Sequence, residues 1–145
     1  MSDAKKLLLG VSVVAIKGRA LIIEGPPGSG KSSLALALID RGADLIGDDG
    51  VSLERGNNRV FAAPPPNTSG LIEVRNVGLL EMNVAPPTPI ALTINLEENA
   101  ERLPERPMQR EVFGVSIPAL GFTLGTIAPA LRAEAALRTH GLNFD

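Results

Sequence analysis

One octapeptide, Gly25-Pro26-Pro27-Gly28-Ser29-Gly30-Lys31-Ser32, limits what this chain can fold into more than any other stretch. It fits the pattern G-x-x-x-x-G-K-[ST], with a hydrophobic strand before it, Ala20 to Glu24, and a helical run after it, Ser33 to Asp40. A strand, a glycine-rich turn and a helix in that order aim several backbone N–H groups and the positive end of a helix dipole at one point, where a polyphosphate fits. Gly25, Gly28 and Gly30 let the backbone approach phosphates without an intervening Cβ. Lys31 is expected to neutralise the β and γ phosphates, and the Ser32 hydroxyl to ligate Mg²⁺. Nucleotide contacts are thus expected from Gly25 through Ser32 and at Ser33. The pattern specifies a nucleoside triphosphate and leaves the reaction open. No N-K-x-D guanine reader occurs, which argues against a GTPase.

With 145 residues the chain is expected to form one domain, 1–145, of the α/β class: a P-loop core with a mixed sheet, added hairpins and few helices. A net charge of −2 with 21% charged residues carries no polyanion-binding signature, so no nucleic-acid partner is expected. The absence of cysteine removes disulfides and thiolate metal sites and agrees with a reducing compartment. Leu7 to Leu9 form an apolar block after Lys5 and Lys6, but Gly10, Ser12 and Lys17 interrupt it, so the N-terminus reads as a strand and not a leader. No apolar run approaches the roughly 20 residues of a membrane helix, and the expected location is the cytoplasm.

Along the chain, Val11 to Ile16 and Leu21 to Glu24 flank Lys17-Gly18-Arg19 and predict a hairpin feeding the glycine-rich loop. The following helix is expected to stop at Arg41-Gly42, with Gly42 left-handed, and Asp44 to Gly47 to return as a parallel neighbour of the loop strand. That strand would finish on Asp48-Asp49 at the ligand edge of the sheet. Val51 to Glu54 and Arg59 to Ala62 flank Gly56-Asn57-Asn58 and predict a second hairpin. Ala63 to Gly70 is a stiff proline connector, and Leu71 to Leu80 reads as one alternating strand with Glu73 and Arg75 on the same side. A buried strand over Ile90–Leu96, a helix or loop over Glu97–Arg110, a last strand over Val112–Ile117 and a helix over Ile127–Thr139 complete the expectation.

Phosphoryl transfer requires phosphates held, Mg²⁺ held, and an acceptor oxygen relieved of its proton. The loop supplies the first. Asp48, Asp49 and Glu73 are the candidates for the rest, one aspartate for the metal and the next for general-base work. Read without other context, Glu73 is a solvated face residue.

The loop, the run Leu34 to Ala43, the pair Asp48-Asp49 and the segment Ile72-Glu73-Val74-Arg75-Asn76-Val77-Gly78-Leu79-Leu80 together resemble the HPr kinase/phosphorylase catalytic domain, over about residues 10 to 110. The last segment is similar to that family's L-E-I-R-G-L-G-type strand, and the chain looks closest to the short form without the N-terminal domain. The resemblance implies an ATP-dependent kinase for a serine of the phosphocarrier protein HPr of the phosphotransferase system. It also implies reversal by inorganic phosphate, with release of pyrophosphate, and a homo-hexamer. The residues themselves put Lys31 and Asp48 forward for catalysis, and the resemblance implies Asp49 as the residue exchanging the serine proton, Ser32 and Glu73 as metal ligands, and Arg102 as a catalytic arginine. Three departures stand out: Gly10 occupies the place of a family histidine, Ser33 that of an acidic residue, and Ala119 to Leu124 lacks the late arginine loop tied to dephosphorylation. The only histidine, His140, reads as a helix-end residue. Two alternatives stay open, another P-loop small-molecule kinase and a catalytically weak nucleotide-sensing module of the same fold.

Overall fold

A computed structural model of the chain describes residues 5–66 and 70–144, so Met1 to Ala4 and part of the proline connector lie outside the described residues. The chain opens with two antiparallel strands, β1 (Lys5–Ile16) and β2 (Arg19–Glu24). Ile16 pairs with Arg19, leaving a two-residue turn in which Lys17 and Gly18 both have positive φ, the geometry that matches the twist of a tight hairpin. The glycine-rich loop follows, then helix α1 (Lys31–Asp40). Gly42, at φ 110°, ends that helix as expected, with its N–H and that of Ala43 donating back to Ile39 and Leu38.

β3 (Asp44–Arg55) returns in the same direction as β2, but β1 lies between them. The expected side-by-side parallel pair is therefore corrected: β1 pairs with β2 on one edge and with β3 on the other, both antiparallel. A hairpin closing onto β2 occupies that edge before β3 arrives, and sequence order alone does not show it. Asp48 and Asp49 do not end β3 either. They sit at an irregularity within it, and Val51 to Glu54 continue the same strand.

β3 turns at Asn58, with φ 59°, into β4 (Val60–Ala63). The expected single strand over Leu71–Leu80 is instead a separate hairpin, β5 (Leu71–Val74) and β6 (Gly78–Glu81), folded at Asn76, which holds φ 68°. β7 (Thr88–Leu96) is the buried strand anticipated around Ile90. Glu97 to Pro107 contains no helix, and the strand expected over Val112–Ile117 splits into β8 (Met108–Val112) and β9 (Val115–Phe122) around Phe113-Gly114. Helix α2 (Pro129–His140) begins with proline in its first turn, where the missing N–H costs no hydrogen bond.

The main sheet runs β2-β1-β3-β4-β7-β9-β8 and closes on itself through a parallel β2–β7 pairing. Alternation sends the two faces to different cores. Val13, Ile22, Ile46, Leu53 and Ile90 join one cluster, while Val14, Leu21, Ile23 and Ile94 join another with Leu34 and Leu38 of α1 and Ala133 and Leu137 of α2. Arg41 pairs with Glu134 across the two helices at 2.9 Å, and this hydrogen bond, then the charge, raises the arginine pKa. Among the described residues no helix is long and apolar enough to cross a membrane.

Leu38 is fully buried beneath α1, whereas Leu131 on α2 is 48% exposed. Leu38→Ala is expected to lower unfolding free energy by about 2–5 kcal/mol, and Leu131→Ala to change it by no more than about 0.5 kcal/mol. Urea titration checks this, and equal losses would contradict the packing described.

Candidate active site

Gly30 caps α1 at φ 104°; no side chain caps the helix and its first turn holds no acidic residue. The amides of Lys31, Ser32 and Ser33 precede the first intrahelical bond, which Leu34 N–H makes to Gly30 O at 2.9 Å. These orphan donors and the dipole are left for an anion. The loop is also too tight for side chains: a Cβ on Gly25 would lie 2.5 Å from Ser29 Oγ, and one on Gly30 2.7 Å from Leu124 Cδ2. Ser29 Oγ is itself buried, with no hydrogen-bond partner among the described residues. Lys31 Nζ curls over the loop, donating to Gly25 O at 2.7 Å and Pro26 O at 3.1 Å.

Opposite the loop, Leu9 pairs with Gly50 and Ser12 with Asp48, so two residues of β1, Gly10 and Val11, face the single residue Asp49 of β3. This is a β-bulge, and both sides bend through it with positive φ, 75° at Gly10 and 66° at Asp49. Consecutive strand residues normally point to opposite faces. Here Asp49, turned by its own positive φ opposite the bulge, lines one cleft with Asp48, and Gly47 fits behind them because a Cβ there would strike the Gly50 carbonyl.

Asp48 Oδ1 accepts from Ser32 Oγ at 2.8 Å and from Ser12 Oγ at 2.7 Å. Asp49 is exposed, as are Glu73 and Arg75 of the β5–β6 hairpin. All of them line one cleft of about 560 Å³ with Gly28, Lys31, Ser32 and Ser33. Ser32, Asp48 and Glu73 offer hard oxygen donors, the type Mg²⁺ takes. Among the described residues no three His, Cys, Asp or Glu side chains form a metal cage alone. The oxygen donors of Ser32, Asp48 and Glu73 are few and hard, which suits Mg²⁺, an ion that keeps waters and substrate phosphates in its shell.

Not every expected residue arrives there. Arg102 lines a different cleft, of about 650 Å³, against α2 with Phe122, Arg132 and His140. Pro26 and Ser29 border another cleft, on the far side of the loop.

Residues 3–129 match the family described as HPr Serine kinase C-terminal domain. The chain belongs to that family. It is 29% identical to an HPr kinase/phosphorylase of Mycoplasmopsis pulmonis, over 97% of this chain and 50% of the relative. It is 35% identical to those of Lactobacillus acidophilus (97% and 47%) and Acidovorax (85% and 43%). The chain thus spans about half the length of the curated relatives it matches. A solved structure, the Hpr(Ser) kinase/phosphatase from Coxiella burnetii, superposes with a TM-score of 0.77 at 27% identity, covering 92% of this chain and 94% of that one.

Within this HPr serine kinase C-terminal domain, Gly10, the position where the sequence resemblance leads one to expect a histidine, faces open space, since a Cβ there meets nothing within 4 Å. The sequence reading did not single out Ser12, which lines the cleft and donates to Asp48. A lone hydroxyl among the apolar Val11-Ser12-Val13-Val14 is visible in the sequence, but its need for a polar partner follows only from its burial, at 1% exposure. Arg75 was placed on the same side as Glu73, and the hairpin carries both to the cleft.

Removing the Ser12 hydroxyl leaves the half-buried Asp48 one donor short. Ser12→Ala is expected to cost about 1–3 kcal/mol of stability, and Ser12→Thr clearly less, because it keeps the hydroxyl. Chemical denaturation of the two variants decides it: identical losses would show that the hydrogen bond to Asp48 carries no weight.

Proposed function

We propose that this domain is an ATP-dependent serine kinase for the phosphocarrier protein HPr, working in the cytoplasm through a P-loop. The observation that carries the reading is the Ser32–Asp48 hydrogen bond. It holds the first helical turn behind the loop against the strand that presents Asp49. The loop amides and Lys31 bind the phosphates, and the Lys31 ammonium exchanges two carbonyl acceptors for anionic ones. Ser32, Glu73 and Asp48 would hold Mg²⁺, which neutralises phosphate charge when bound.

Asp49, exposed and free to meet a protein surface, takes the proton of the acceptor serine as its Oγ bonds to the γ-phosphorus. The bond to the β-phosphate oxygen breaks and ADP leaves. Run backwards with inorganic phosphate as attacking group, the same residues return serine and release pyrophosphate, Asp49 handing back the proton. Arg75 is the cation in the cleft suited to the transferring or attacking phosphate.

The Gly10 position favours one second reading, a nucleotide-sensing module that transfers poorly. Labelled ATP with purified HPr separates the two. Asp49→Asn is expected to keep ATP affinity and lose transfer by about 10²–10⁴-fold, the usual worth of a general base. Lys31→Ala is expected to lose ATP binding. Nucleotide binding without any phosphoserine on HPr would favour the sensor, and unchanged affinity in Lys31→Ala would show that the loop has been misread.

A further inference from the structure

The carboxylate cleft takes up one side of the glycine-rich loop, the side of β1, β3 and the β5–β6 hairpin. On the other side, β7 and β9 run parallel to β2 and end level with it: Glu24 pairs with Asn95, and Leu96 with Phe122. In α/β sheets with parallel strands, open or closed, ligands lie just beyond such carboxyl ends. Here these ends and the loop enclose a second cleft of about 590 Å³. Its lining includes Pro26, Pro27, Leu96 and Leu124, together with the acidic residues Glu97 and Glu98.

A linear triphosphate lying on the loop has two ends. The reacting end belongs with Asp48 and Asp49. The other end leads away from them, toward a cleft whose acidic lining repels phosphate but accepts hydrogen bonds from hydroxyls. The wall is fixed to the loop, since Leu124 leaves no room for a Cβ on Gly30. The acidic stretch is fixed too: Thr123 Oγ1 donates to Glu98 O at 3.1 Å and accepts from Ala100 N–H at 3.0 Å. Among the described residues the Glu98 carboxylate has no hydrogen bond or ion pair, while Glu97 accepts from Asn95 Nδ2 at 3.2 Å.

Resting on the kinase reading above, we infer that this second cleft holds the nucleoside of the bound nucleotide. The Glu98 carboxylate accepts from the ribose hydroxyls, and Leu96, Leu124 and the Pro26-Pro27 rings cover the base. The loop then divides the ligand, with chemistry on one side and recognition on the other.

Inorganic tripolyphosphate, which has the phosphates without the nucleoside, isolates the two halves. Calorimetry on the full chain with Mg²⁺ is expected to show ATP bound at least about tenfold more tightly than tripolyphosphate, a gap of about 1.4 kcal/mol. Glu98→Gln and Leu124→Ala should each shrink that gap while tripolyphosphate affinity holds or rises. Equal binding of the two ligands by the unsubstituted chain would overturn the nucleoside site and leave the phosphate loop standing. So would a gap unchanged in both variants, or affinities for the two ligands that fall together. Tripolyphosphate binding that survives Lys31→Ala would instead sink the loop reading, and this inference with it.

Discussion

A single carboxylate oxygen joins the parts of this structure that chemistry would need together. Asp48 Oδ1 accepts from Ser32 on the first turn of α1 and from Ser12 on β1, residues 16 and 36 positions away in the chain. Without it the glycine-rich loop and the β-bulge belong to separate elements that merely lie close. Hydrogen bonds to a charged acceptor contribute roughly 1.5–3 kcal/mol each, a noticeable share of the 5–15 kcal/mol that holds a typical domain together. Stability and site geometry are therefore served by one interaction. A substitution at Asp48 would disturb both, and it makes Asp49, exposed and unconstrained by such bonds, the cleaner probe of chemistry.

How far the sequence revealed this depends on how local each signal was. The loop, α1 and its glycine stop, and the proline start of α2 were all legible, because each rests on neighbours within a few residues. Two hairpins were read as single strands. Apolar alternation runs on through Asn76, and Phe113 looks like a core residue, although both hold positive φ at a chain reversal. Asn76-Val77-Gly78 and Phe113-Gly114 carried the turn signal, and the hydrophobic pattern outweighed it. The insertion of β1 between β2 and β3 was out of reach, since strand order is decided by pairing across the whole sheet.

The site was legible in the same uneven way. Lys31 and Ser32 follow from the loop pattern. Asp48 and Asp49 were expected together at a strand end beside the loop; they line a cleft beside it from within β3, where alternation would part them and the positive φ of Asp49 does not. Ser12 could be recognised only through its burial. Arg102 was carried by resemblance alone, and the fold sets it beside α2 with His140, away from the loop.

The position of Lys31 bears on how such a loop stays ready. Its ammonium, donating to Gly25 O and Pro26 O, is held by two neutral carbonyls at the entry of the loop. Neutral acceptors bind an ammonium less strongly than phosphate oxygens do. A triphosphate can therefore draw the side chain away without a large opposing cost, while the carbonyl contacts keep it from folding into the carboxylates of Asp48 and Asp49. Pairing there would neutralise the acidic groups and fill the space that metal and phosphate need. The backbone cradle, being built from glycine geometry and an uncapped helix end, requires no rearrangement of its own. On the proposed kinase reading, what moves on binding is one flexible side chain, and the rigid part of the site is the part that measures shape.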